Sequence, residues 1–151
     1  MCPDTDPAPF RERASFVLAR EPQAIGEARH RIAKFVRGRL RRAALGRVEL
    51  LVSEIVTNAV HHGDGDLELV VTIFDDRVRV EVHDAGPGFV PEALEAPPGA
   101  TGGFGLYLVA ALSERWGVAT GPRTRVWFEV AAAWPQAPGT TNRTSTSQPA
   151  A

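Results

Sequence analysis

The segment RVELLVSEIVTNAVHHG, residues 47–63, decides the fold because its apolar residues recur at steps of three and four. This period predicts a helix from Arg47 to His62 that packs one face against a core and that Gly63 ends. Glu54 and Asn58 lie one turn apart in this helix, so both side chains stand on one edge of the apolar stripe. Such an edge can line a cleft, although an ordinary polar flank gives the same spacing.

A β-hairpin is predicted after this helix. Leu67–Phe74 and Arg77–Asp84 are rich in strand-forming residues and are separated by Asp75-Asp76, which is typical of a turn. In the second strand, apolar and polar residues alternate, with Val78, Val80 and Val82 on one side and Arg79, Glu81 and His83 on the other. The alternation predicts a sheet with one covered face and one solvated face.

Asp84 ends this strand, at the start of the sequence DAGPG, residues 84–88. It is in phase with the three valines, so its carboxylate points towards the covered side and needs a partner there. Two partners stay open: the amides of Gly86 or Gly88, which would make Asp84 a turn cap, or an amine of a bound ligand. The glycines also let the backbone approach a flat ring that a Cβ would block.

The sequence GFG, residues 103–105, precedes another helical pattern. Free amide donors and the positive end of the helix dipole at such a position favour an anion.

The remaining predicted elements are a first strand within Arg13–Ala19, a helix with a stripe from Ile25 to Leu40, a Pro- and Gly-rich loop over Phe89–Gly102 that is a candidate lid, a helix over Leu106–Trp116 and a closing hairpin over Gly117–Val130.

The pattern predicts one domain over residues 13–133, with a flexible N-terminus over 1–12 and a disordered tail over 134–151 that is rich in Pro, Gly, Ser and Thr. The single cysteine, Cys2, excludes an internal disulfide, and neither an export signal nor a long apolar run is visible. We therefore expect a cytoplasmic protein without membrane contact.

The net charge of −1, from 17 basic and 18 acidic residues, does not indicate a nucleic-acid partner. Basic residues are nevertheless concentrated between Arg29 and Arg47. A nucleic-acid helix is one interpretation of that segment. A solvated outer face or a protein-docking face is favoured, because the overall charge is balanced.

Four features follow one another along the chain: E-x-x-x-N on a helix, D-x-G-x-G after a strand, a Pro- and Gly-rich loop, and G-x-G-L at a helix start. Together they resemble the GHKL (Bergerat) ATP-binding fold of DNA gyrase, histidine kinases and heat-shock chaperone ATPases. The short form, with SEIVTNAV at residues 53–60 and VWF at 126–128, is most similar to anti-sigma-factor serine kinases of actinobacterial type. The resemblance covers Phe16 to Ala131. It implies an α+β two-layer sandwich, with a mostly antiparallel mixed sheet and helices on one face.

The resemblance also implies roles for individual residues and the cofactors ATP and Mg²⁺. Asn58 would ligate Mg²⁺, and Glu54 would act as catalytic base or polariser near the γ-phosphate. Asp84 would bind the adenine amino group, over a floor shaped by Gly86 and Gly88. The phosphate side would be lined by Gly103, Phe104, Gly105 and Leu106.

The implied function is an Mg·ATP-dependent serine/threonine kinase that binds a sigma factor and phosphorylates an anti-sigma-factor antagonist. A homodimer stays open. The first rival is a non-catalytic ATP-holding anti-sigma or docking module, favoured by Phe104 at a position where the family often has Arg or His. The second rival is a nucleic-acid binder that uses the basic segment.

Overall fold

The computed structural model describes residues 8–87 and 104–132, except the side chain of Phe104. These residues form helices α1 (Gln23–Phe35), α2 (Arg42–His62) and α3 (Phe104–Leu112) and strands β1 (Glu12–Leu18), β2 (Leu67–Ile73), β3 (Arg77–Asp84), β4 (Arg115–Ala119) and β5 (Thr124–Ala131). The predicted loop over Phe89–Gly102, the tail over 134–151 and most of the N-terminal segment lie outside the described residues.

The strands form one sheet in the order β1-β2-β3-β5-β4, and every described neighbouring pair is antiparallel. The predicted hairpin of β2 and β3 is confirmed, with Leu69 opposite Val82 and Val71 opposite Val80. After β3 the chain passes through α3 and β4 and returns as β5, between β3 and β4. The fold is the predicted α+β sandwich.

The helices cover one face of the sheet, and α2 is the central helix, in contact with both α1 and α3. Its apolar stripe is buried as predicted, over Val48, Leu51, Val52, Ile55, Val56 and Ala59. The inward side chains of β2, β3 and β5 complete this core. The core thereby fixes α2 against the sheet, which holds the polar edge of the helix in one place.

Three predicted boundaries were wrong. α2 begins at Arg42 rather than Arg47, while α1 ends at Phe35, and Gly38 then turns the chain with a φ of 73°. α3 ends at Leu112, so Trp116 belongs to β4, where it pairs with Phe128. A short apolar run fits helix and strand equally well, and here pairing with β5 decides for strand.

The prediction of a solvated outer sheet face was also wrong. Arg79, Glu81 and Glu129 point away from the helices, yet these residues are only 4%, 6% and 0% exposed. The Arg79 guanidinium lies 3.9 Å from the centre of the Trp127 ring and pairs with both glutamates. Long charged side chains thus cover this face with their own stems and with one another.

Candidate functional site

Asp84 lies at the end of β3, on the helix-covered side of the sheet, and is 5% exposed. Its Oδ1 accepts the Gly86 N–H at 2.6 Å and the Asp64 N–H at 3.4 Å. The turn-cap interpretation therefore holds for Gly86. Both of these bonds use Oδ1, and a carboxylate can accept further hydrogen bonds at its second oxygen.

Two further contacts fix the loop that follows Asp84. The Thr124 hydroxyl donates to the Gly86 carbonyl at 2.8 Å, and the Ala85 N–H donates to the Asp64 carbonyl at 2.9 Å. Thr124 is 2% exposed and lies opposite Asp84 in the β3–β5 register. Sequence reasoning missed Thr124, because only the strand pairing brings it to Asp84.

Gly86 packs closely against this carboxylate. A Cβ at position 86 would lie 2.6 Å from Asp84 Oδ1 and 3.3 Å from the Gly63 Cα. Glycine is therefore required by space at this point, and the backbone forms a flat wall beside Asp84. Gly88, the second predicted glycine of this wall, lies outside the described residues.

Glu54 and Asn58 meet the start of α3. A Cβ at position 105 would lie 3.0 Å from Asn58 Nδ2, 3.2 Å from Asn58 Oδ1 and 3.1 Å from Glu54 Oε2. Both side chains are half-buried on the edge of α2, as the sequence spacing predicted. The structure thus brings Glu54, Asn58 and Gly105 together.

The N-terminus of α3 adds hydrogen-bond donors to this cluster. The first N–H groups of any helix lack intrahelical acceptors, and the helix dipole favours negative charge near them. Leu106, by contrast, is a core residue with 7% exposure. Phe104 begins the helix, and its side chain and Gly103 lie outside the described part of the chain.

The two clusters lie along the same helix. At a rise of 1.5 Å per residue, the path from Gly63, beside Asp84, back to Glu54 is roughly 13 Å. A buried acceptor therefore stands at one end, and side-chain oxygens beside the N-terminus of α3 stand at the other. An elongated ligand with a hydrogen-bonding ring and an anionic tail suits this arrangement.

Oxygen ligands are also what Mg²⁺ requires. In proteins, Mg²⁺ is usually bound through one or two side-chain oxygens together with phosphate oxygens and waters. Asn58 Oδ1 is such an oxygen, and it lies beside the start of α3, 3.2 Å from where a Cβ of residue 105 would be. The residues present therefore fit a magnesium ion bound with a nucleotide.

A family model described as the histidine kinase-like ATPase domain matches residues 18–130. The chain belongs to this family. The predicted resemblance is thereby confirmed, and the match extends over every described helix and from the end of β1 to β5. Among the described residues, the histidine kinase-like ATPase domain has no helix both long and apolar enough to cross a membrane.

Two curated relatives are kinases by name. The serine-protein kinase RsbW of Staphylococcus epidermidis is 34% identical, over 44% of this chain and 52% of its own length. The sensor histidine kinase component HK1 of Mycobacterium tuberculosis is 33% identical, over 44% of this chain and 46% of its own. The chain thus spans about half the length of these relatives.

A solved structure with a similar arrangement is the histidine kinase domain of a blue-light activated histidine kinase from Erythrobacter litoralis. The comparison gives a TM-score of 0.49 at 23% identity, over 73% of this chain and 60% of that one.

Proposed function

We propose that the chain is an Mg·ATP-dependent serine/threonine protein kinase that acts as an anti-sigma regulatory factor and phosphorylates an anti-sigma-factor antagonist. The observation that carries the proposal is the convergence of Glu54 and Asn58 on the start of α3, at the opposite end of the α2 edge from Asp84. The family match and the likeness to RsbW support it. Partner identities come from that likeness alone.

Each end of the site has a separate task. Asp84 accepts a hydrogen bond from the adenine amino group through the oxygen that Gly86 and Asp64 leave available. Asn58 ligates Mg²⁺, which, when bound, offsets the negative charge of the phosphates. The amides at Gly103 and Gly105 receive those phosphates.

In this proposal Glu54 acts as the catalytic base. Its Oε2 lies beside Gly105, where the terminal phosphate would be held. As the oxygen of a partner's Ser or Thr hydroxyl attacks phosphorus, Glu54 accepts the hydroxyl proton, and ADP leaves. General-base catalysis of this kind contributes roughly 10²–10⁴-fold in rate.

The test is Glu54→Gln, which keeps the size of the side chain and most of its hydrogen bonding but cannot take the proton. We expect calorimetry to show unchanged ATP affinity, while transfer of labelled phosphate from ATP to a candidate antagonist falls by roughly 10²-fold or more. Glu49→Gln, the same exchange five residues earlier in α2, is the matched control and should transfer normally. Normal transfer by Glu54→Gln would remove Glu54 from the mechanism.

A second candidate function is the non-catalytic ATP-holding docking module. Phe104 favours it, because a phenylalanine next to the phosphates adds no positive charge. Wild-type protein that binds ATP and a sigma factor, yet phosphorylates no candidate antagonist, would decide for this module.

The basic surface around α1 and the loop after it fits a protein partner in either case. Residues 20–47 carry nine basic and two acidic residues, although the whole chain is nearly neutral. Arg31 and Arg39 are already paired with Glu27 and Glu12. Nucleic-acid binding by this surface would show the steep salt dependence that phosphate contacts give.

A further inference from the structure

The turn at Gly63 and Asp64, immediately after α2, lies against the Asp84 carboxylate. A Cβ at position 63 would lie 2.8 Å from Asp84 Cγ, 3.0 Å from Asp84 Oδ1 and 2.4 Å from the Ala59 carbonyl oxygen. That carbonyl cannot retreat, because it accepts the Gly63 N–H at the end of the helix. The carboxylate therefore packs directly on the backbone of Gly63.

The same turn also bonds to Asp84 and to its loop. The Asp64 N–H donates to Asp84 Oδ1, and the Asp64 carbonyl accepts the Ala85 N–H. Together with the Gly86 N–H, this leaves Oδ1 committed to the protein. These hydrogen bonds fix the plane of the carboxylate, because tilting it would break both of them.

We propose that the Gly63–Asp64 turn positions Asp84 and thereby sets the preference of the site for a purine with a 6-amino group. The proposal rests on the proposed function, since it takes adenine as the ligand of Asp84. The turn holds Oδ1 inward, so that Oδ2 is the oxygen presented to the ring. An acceptor fixed in this way discriminates against a base that lacks the 6-amino group, because Oδ2 would then stay without a hydrogen-bond donor.

The experiment compares the dissociation constants of ATP and of purine riboside triphosphate, which lacks the 6-amino group. In wild-type protein we expect ATP to bind about tenfold tighter or more, as for a hydrogen bond to a charged group. In Gly63→Ala the added methyl displaces Asp84, and the ratio should fall to near unity. A general loss of stability would weaken both nucleotides equally and would leave the ratio unchanged.

Gly65→Ala is the matched control in the same turn. Gly65 has a φ of 64°, so the change strains the backbone, but its nearest contact is an ordinary 3.5 Å to the Ala85 Cβ. We expect this variant to keep the wild-type ratio.

Asp64→Pro keeps the proposal testable if Gly63→Ala does not fold. Proline removes the amide that reaches Oδ1 but keeps the carbonyl that accepts from Ala85, and the preceding Gly63 is already extended, with φ −81° and ψ −173°. Its ratio should also fall. A wild-type ratio in folded Gly63→Ala and Asp64→Pro, or loss of the fold in both, would overturn the positioning role. A wild-type protein without any preference would instead overturn the adenine assignment of the proposed function.

Discussion

Gly105→Ala is expected to separate stability from activity. Gly105 is the second residue of α3, where alanine is intrinsically favoured over glycine by up to about 1 kcal/mol. The new methyl would lie 3.0 Å from Asn58 Nδ2 and 3.1 Å from Glu54 Oε2. Because both side chains are half-buried, they can yield by a few tenths of an ångström at little cost in folding free energy.

The expected thermal midpoint is therefore unchanged or raised, since 1 kcal/mol corresponds to about 2–4 °C in a domain of this size. Catalysis should suffer, because a misplacement approaching 1 Å costs up to about 10²-fold in rate. We expect labelled-phosphate transfer to fall about tenfold, with the midpoint followed by circular dichroism.

The control is Gly46→Ala, the same exchange inside α2, where a Cβ would meet nothing within 4 Å. It should raise the midpoint and leave transfer intact. Gly105→Ala protein with full transfer would refute the close packing of α3 on Asn58 and Glu54. A fall of many degrees in its midpoint would refute the claim that the two side chains yield easily.

Three other predictions concern Asn58 and the outer face of the sheet. Asn58→Ala should weaken ATP binding in calorimetry chiefly when Mg²⁺ is present, and an equal loss in EDTA would exclude metal ligation. Glu129→Ala removes the buried carboxylate that Arg77 and Arg79 share and should cost up to about 3–5 kcal/mol in urea unfolding, whereas a loss below about 1 kcal/mol would show that their other partners, Asp76 and Glu81, suffice. Burial raises the pKa of the Glu81 carboxyl, but the hydrogen bond from His83 and the charge of Arg79 outweigh it, so the pKa lies below its usual 4.5. Because this pKa is lowered, the ionised Glu81 carboxylate stabilises the fold above pH 4.5, and this stabilisation is lost as the pH falls below that value. The excess stability of wild type over Glu81→Gln should therefore shrink in acid melting curves.

Local periodicity was sufficient to predict α2 and the β2–β3 hairpin. The stripe from Val48 to Ala59 is buried as its period indicates, and so are Val78, Val80 and Val82, although Arg79 and Glu81 between them are buried as well. The helix spacing also placed Glu54 and Asn58 on one edge. These predictions succeeded because one face of each segment meets the same core.

What sequence reasoning missed depends on contacts between distant segments. Thr124 and Asp64 lie 40 and 20 residues from Asp84, and only the folded sheet and the end of α2 bring them to it. Trp116 pairs with Phe128 only because β5 lies beside β4. The outer face is buried because arginines of β3 and β4 converge on Glu129, and no single strand carries that information.

Three glycines of the site have a charged or amide side chain where a Cβ would be, whereas at Gly117, outside the site, the Trp127 ring takes that space at 2.7–2.8 Å. At positions 63, 86 and 105 the space for a Cβ is taken by Asp84, Asn58 or Glu54 atoms at 2.6–3.2 Å, whereas positions 26, 46 and 121 have nothing within 4 Å. Sequence alone cannot tell the two classes apart, since both lack a side chain. Packing can, because it shows at which glycines atoms of another residue occupy the space of a Cβ. The glycine contacts therefore mark Asp84, Asn58 and Glu54 as the side chains that lie directly against the backbone at these three positions.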